Sequence, residues 1–249
     1  MITLASSQST SEPVKKSNGY VLHRGTTNGH PFVAIATMET DNPKTGDMVQ
    51  IWFLLEHVAP HVAVKSGLDA ETICRDCPFA SGNGCYVSVW QAPLAIYKAH
   101  KRGAYPEVSP AHYQALFGGR RIRFGAYGNP SLLPLSIVKS IASVSSGWTG
   151  YFHDWRSNPL AHGYSAYFMA STETESAHRL ASSLGFRTFH VSPEKPENTL
   201  ECLSVSKGIQ CAECRLCAGL SKPAKSIWIA PHGRGSSKAG AIALGQSHV

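Results

Sequence analysis

Seven cysteines stand in two groups along the chain: Cys74, Cys77 and Cys85, then Cys202, Cys211, Cys214 and Cys217. A fold that accepts this sequence must draw each group into a loop where the thiols meet. Between Cys211 and Cys217 a thiol recurs at every third residue, a spacing that converges on a metal centre and does not suit disulfide pairing. The first group reads Cys-x2-Cys-x7-Cys, and the turn Ser81-Gly82-Asn83-Gly84 can return Cys85 to the centre begun by Cys74 and Cys77. Three thiolates leave one coordination position open unless another ligand fills it, and His57, His61 and His100 are the candidates; four thiolates close a site.

Either zinc or an iron–sulfur cluster satisfies the first set by spacing. In the second set the successive Cys-x2-Cys-x2-Cys order is of the ferredoxin-binding kind, which favours iron–sulfur over zinc, although Ala218-Gly219 stands where a proline is usual. Both sets are expected to bind metal. The segment 1–18 is rich in Ser and Thr without an apolar stretch, so neither a leader nor a membrane anchor is expected, and the apolar run 51–55 is far below spanning length. A cytoplasmic protein with reduced thiols follows as the expectation.

With 249 residues, 43% of them hydrophobic, the chain can bury a sizeable core. Its formal charge of +7 is unevenly spread: residues 207–238 hold six Lys or Arg against the single acid Glu213, and Arg120, Arg121 and Arg123 form a second basic knot. Nucleic acid is therefore an admissible partner, and offset of thiolate charge is the competing explanation. No phosphate-binding GxxxxGK[ST] loop, GxSxG elbow or HExxH helix occurs, which leaves ordinary nucleoside triphosphatase, hydrolase and zinc-protease chemistry without support.

The organisation reads as an α/β chain. Residues 1–18 and 233–249 are expected to be disordered tails; 19–60 is expected to form an N-terminal β meander with strands over 20–23, 32–37 and 48–55; 200–232 is a cysteine-rich, metal-binding segment ending on a strand at 226–230. Between them, 61–199 carries the first cysteine loop, a helix over 92–102, a strand over 121–127, a helix over 132–144, strands over 148–153 and 167–170, a helix over 174–184 capped by Ser171 or Thr172, and a strand over 187–191. Alternating strands and helices predict a parallel (β/α) core, open or curled into a partial barrel.

One strand end carries chemistry. The stretch Arg121-Ile122-Arg123-Phe124-Gly125-Ala126-Tyr127-Gly128-Asn129-Pro130 runs from a strand into a glycine turn, at the end where parallel folds place their ligands. Tyr127, Gly128 and Asn129 are the candidate cofactor contacts, with the Asn129 amide oxygen suited to an amino group. His153, Asp154 and Arg156 follow another strand and are the candidate catalytic residues: a His beside an Asp for proton transfer and an Arg for a carboxylate or phosphate. Trp148, Tyr151, Phe152 and Trp155 lie close by and are assigned to core packing.

Three cysteines on a loop, a helix, and a later strand ending in Gly128-Asn129-Pro130 with Leu132-Leu133 form an order of parts that resembles the radical S-adenosylmethionine enzymes across residues 74–191. The likeness implies that Cys74, Cys77 and Cys85 hold a 4Fe-4S cluster whose open iron chelates S-adenosylmethionine, that the turn contacts the methionyl amino group, and that Cys202, Cys211, Cys214 and Cys217 hold an auxiliary cluster. The spacing departs from that family's Cys-x3-Cys-x2-Cys, and Asn129 stands where its turn has an acid. The chain is also similar to small uncharacterised bacteriophage proteins. The alternative function is a structural zinc protein that binds nucleic acid through its basic C-terminal face.

Overall fold

A computed structural model of the chain describes residues 14–233 and 235–245. The expectation for 1–13 lies outside the described residues.

The first two strands, β1 (Gly19–Thr27) and β2 (His30–Thr37), form a hairpin closed by Asn28 and Gly29, both at positive φ as the tight two-residue turn requires. Next comes β3 (Val49–Leu55), in which every residue is buried, the signature of a strand covered on both faces. It pairs antiparallel with β2 and parallel with the fourth strand, so the hairpin strands share one sheet with the parallel core. Short helices α1 (Pro60–Ser66) and α2 (Leu68–Glu71) then lead into the first cysteine loop. After it come α3 (Ala92–Lys101), α4 (Tyr113–Phe117), β4 (Arg121–Tyr127), α5 (Leu135–Val144) and β5 (Gly147–Thr149).

The remainder comprises β6 (Tyr151–Phe152), α6 (Ala161–Ser165), β7 (Met169–Thr172), α7 (Glu175–Ser183), β8 (Thr188–Val191), β9 (Thr199–Glu201), α8 (Leu203–Ser206), α9 (Cys211–Cys214), β10 (Ser226–Ile229) and α10 (Ser236–Ala243). The strands make two five-stranded sheets, β1-β2-β3-β4-β5 and β6-β7-β8-β10-β9, the second parallel throughout. The chain is thus mixed α/β with parallel strands in both sheets. The main core joins β2, β3 and β4 to α5, α6 and α7 through Ile35, Phe53, Phe124, Val138, Ile141, Tyr164 and Ala181. Among the described residues no helix is long and apolar enough to cross a membrane.

Three expectations are corrected. The single strand over 148–153 is broken at Gly150, whose N–H is taken by the Cys217 carbonyl (2.9 Å) and whose carbonyl accepts from Met169 N (3.0 Å); a Cβ there would stand 2.7 Å from the Phe168 ring. The cap of α7 is Thr174, whose hydroxyl accepts from Ala177 N at 3.2 Å, because Ser171 and Thr172 are spent within β7. Residues 236–243, expected to lie in a disordered tail, form α10. This helix rests on the first cysteine loop: Lys238 Nζ donates to the Gly82 carbonyl (3.2 Å), and a Cβ on Gly84 would lie 2.9 Å from Ala239 N.

Candidate functional site

The first cysteine loop is folded on its own backbone. Cys77 N donates to the Arg75 carbonyl (2.7 Å) and Cys85 N to the Phe79 carbonyl (3.0 Å), while Arg75, Ser81, Gly82 and Gly84 take positive φ to turn the chain back. Asp69 organises the turn, its Oδ1 accepting from Ser81 Oγ at 2.7 Å and its Oδ2 from Ser81 N at 3.1 Å, with Cys74 Sγ 3.9 Å from the same Oδ2. Burial pushes the Cys74 thiol well up, and the charges of Cys77, Asp69 and Cys85 add to the rise. Burial likewise raises Cys77, with Cys85 adding, and raises Cys85. The three thiols are thus close enough for their charges to bear on one another.

The glycine turn is clipped to this loop. Asn129 N donates to the carbonyl of Ile73, the residue before Cys74, at 2.7 Å. Gly128 has φ +80° and passes so near β3 that a Cβ on it would meet the Phe53 Cβ at 2.6 Å. Tyr127 is buried, its hydroxyl has no hydrogen-bond partner, and burial together with the charges of Cys74, Asp69, Cys85 and Cys77 drives its ionisation up. The structure thus brings Tyr127, Gly128 and Asn129 beside Cys74, Cys77 and Cys85.

Asp154 holds that junction together. It is 1% exposed and accepts from Arg75 Nη1 (2.6 Å), Asn129 Nδ2 (2.8 Å), Ser131 Oγ (2.7 Å) and Asn158 Nδ2 (3.0 Å). A carboxylate with this many donors binds three segments together. The Asn129 amide is oriented by it: Nδ2 faces Asp154, and Oδ1 is buried without a partner. His153 is held down to about 4 by burial, against the opposing charges of Asp154 and Asp76, and its Nδ1 is also unpartnered. Arg156 is exposed and stacks on Trp155 at 3.9 Å. Glu173, directly after β7, is pushed up to about 7 by burial with Arg156 opposing, and its charge reaches Cys77.

The second cysteine segment starts at the edge strand β9 and crosses to the turn before β3. There Cys211 N donates to the Lys44 carbonyl (2.9 Å) and Ala212 N to the Thr45 carbonyl (3.1 Å). Arg187 fastens its return, donating to the carbonyls of Leu216 (3.0 Å), Gly219 (2.7 Å) and Lys225 (2.6 Å). Burial raises Cys211, Cys214 and Cys217; Arg123 opposes it at Cys211 and Cys217, while Cys202 adds to it at all three and the other thiols add among themselves. Cys202, Cys211, Cys214 and Cys217 thus form a second neighbourhood of sulfur.

Among the described residues, no three Cys, His, Asp or Glu side chains form a group that holds a metal ion as they stand. The donor chemistry of each set nonetheless fits a thiophilic centre: one buried and two half-buried thiols with an unpartnered hydroxyl and an unpartnered amide oxygen at the adjoining turn in one, four half-buried thiols in the other. Of the candidate fourth ligands, His61 stacks on Trp90 at 4.2 Å and His100 lies by Arg24 and Glu56. The acid that does join the first set, Asp69, was not anticipated, nor was Glu173. A rule already in hand, that side chains just past parallel strands face the site, would have found Glu173. Much of the basic surface is spent internally: Arg120 on the Met38 carbonyl (2.6 Å), Arg121 on Asp47 (3.2 Å) and Arg215 on the Ser146 carbonyl (2.9 Å).

Comparison with protein-family models, with curated proteins and with solved structures returned no match.

Proposed function

We propose that the chain is an iron–sulfur protein of the radical S-adenosylmethionine type, with the active centre on Cys74, Cys77 and Cys85 and an auxiliary centre on Cys202, Cys211, Cys214 and Cys217. The observation that carries this reading is the clip between the cysteine loop and the strand-end turn, Asn129 N to the Ile73 carbonyl at 2.7 Å, which sets an unpartnered Asn129 Oδ1 and a side-chain-free Gly128 beside the three-thiol set. A buried hydrogen-bond acceptor with no partner is what an amino-bearing cofactor would satisfy. When bound, such a centre supplies one-electron chemistry to S-adenosylmethionine.

The finer architecture belongs to the same proposal. In the proposed architecture the parallel strands β3, β4, β5/β6, β7, β8 and β10 form a curled partial barrel, a reading supported by β5 and β6 being consecutive across Gly150 although they belong to different sheets. Asn129, His153, Glu173 and His232 all come just after such strands, on the side of the first thiol set. In this arrangement Asp154 positions the turn, while His153, neutral at physiological pH, and Glu173 move protons to or from the substrate.

The test is purification of the full chain under strict anaerobiosis. Broad visible absorption, with iron and acid-labile sulfide in equal amounts and a spectral change on adding S-adenosylmethionine, is the expected result. A colourless protein with stoichiometric zinc would reject the iron–sulfur assignment in favour of structural zinc.

A further inference from the structure

The space between the two thiol sets holds a guanidinium with no carboxylate. Arg123, from β4, is 7% exposed, and it takes part in none of the ion pairs among the described residues. Its one side-chain hydrogen bond there, Nη2 to the Tyr86 hydroxyl at 3.5 Å, is at the weak limit. Its main contact is the face of Tyr151, 4.3 Å below the guanidinium. A cation–π contact alone does not offset the withdrawal of a cation from water. Arg123 therefore calls for an anion.

The surroundings say which one. Arg123 lies opposite Thr149 in the β4–β5 ladder, and the next residue, Gly150, donates to the Cys217 carbonyl at 2.9 Å. Tyr151 stacks on Phe189 at 4.4 Å, within a small apolar cluster that Cys202, Leu216 and Cys217 pack against. Besides the two tyrosines, the groups whose charge bears on Arg123 are Cys211 and Cys217. A free thiol is neutral and offsets nothing, whereas a metal-bound thiolate is an anion.

We infer that Arg123 is the charge partner of the metal centre built on Cys202, Cys211, Cys214 and Cys217, a positioning residue that offsets the excess negative charge of four thiolates around one ion or cluster. Tyr151 carries the guanidinium on its ring face, and Tyr86, bonded hydroxyl to hydroxyl with Tyr151, ties it to Cys85 of the other set. The inference rests on the proposed metal binding of the second set. The alternation of β4 concealed this residue, because Ile122 and Phe124 are buried as well and the strand is covered on both faces.

The test compares the full chain with Arg123→Lys and Arg123→Met, each titrated with Co2+, whose thiolate charge-transfer bands report binding, and each melted with and without metal. Arg123→Met should weaken binding at the four-thiol site about 10- to 100-fold, the loss typical of removing a supporting partner, while Arg123→Lys stays within a few fold of wild type. The order of stabilities should reverse: without metal, Arg123→Met melts above wild type because an uncompensated buried cation is gone, and with metal it melts below. A purely structural arginine would lower both melting temperatures, and that result overturns the inference, as does equal Co2+ affinity or an Arg123→Met chain that fails to fold in both forms. Wild type that takes up no Co2+ on the second set overturns the metal reading itself and the inference with it.

Discussion

Asp154 shows how a residue chosen for one chemistry can serve another. A His-Asp pair after a strand suggests proton transfer, yet the four donors on Asp154 make it the tie between the cysteine loop, the glycine turn and the segment after β6. Replacing it with Ala leaves Arg75 and Asn129 without their acceptor, and we predict a loss of about 3 kcal/mol, read as a lowered denaturation midpoint. Stability equal to wild type would mean that the junction does not depend on the carboxylate. At Gly128 the constraint is steric: Gly128→Ala must hold φ near +80° and push a Cβ into the Phe53 Cβ at 2.6 Å. We expect a cost of about 2 kcal/mol or more and a displaced turn. Gly163→Ala, with no positive φ and only the tip of Leu135 in the way, should cost less, and the two melts compared side by side check the claim.

At the scale of elements, the sequence was most readable where one periodicity ran unopposed. The strand over 121–127, the helix over 92–102 and the hairpin about Asn28-Gly29 stand within a residue or two of their expected limits except where β1 extends to Thr27. What failed did so for tertiary reasons: Gly150 breaks a strand because its backbone groups bond elsewhere, and the helix over 236–243 packs on Gly84, where the absence of a Cβ lets Ala239 approach, which no local pattern announces. The packing of α7 on β8 makes its own prediction. His178 Nδ1 meets Thr188 Oγ1 at 2.8 Å, His190 Nδ1 meets Thr172 Oγ1 at 2.9 Å, and the rings lie 5.0 Å apart. Burial lowers both, His190 to about 4, with His178 adding to the drop at His190. The folded state thus prefers neutral imidazole, and between pH 4 and the unfolded value of about 6.5 the unfolded chain binds more protons, so stability is full above that window and falls as pH drops through it. From His190 alone the loss approaches about 3 kcal/mol by pH 4. Urea midpoints measured across this range should slope in wild type and slope less steeply in His190→Gln, with His153 and His178, also lowered by burial, keeping part of the dependence; parallel slopes would refute the assignment.

Over the whole molecule the cysteine spacing divides the thiols into two sets some hundred residues apart, and within each set the thiols bear on one another's charge, while among the described residues no group stands arranged to hold a metal ion. What could not be read in advance was the tissue between them: Asp69 behind the first set, Glu173 at its rim, and the Arg123, Tyr151 and Tyr86 contacts that run from one set to the other. These depend on how two sheets meet, which a one-dimensional pattern does not contain. The arrangement implies that the sets are separable, so Cys85→Ala should abolish the first centre while the second and the overall fold persist, as metal analysis and circular dichroism would record. The central claim is that thiols at two places are engaged by metal in the native protein. Native-state alkylation of the anaerobically isolated, reduced chain, counted by mass spectrometry before and after chelation, tests it most directly: protection of both sets that is lost on removing metal is the predicted result, and free alkylation of all seven cysteines before chelation would contradict the account.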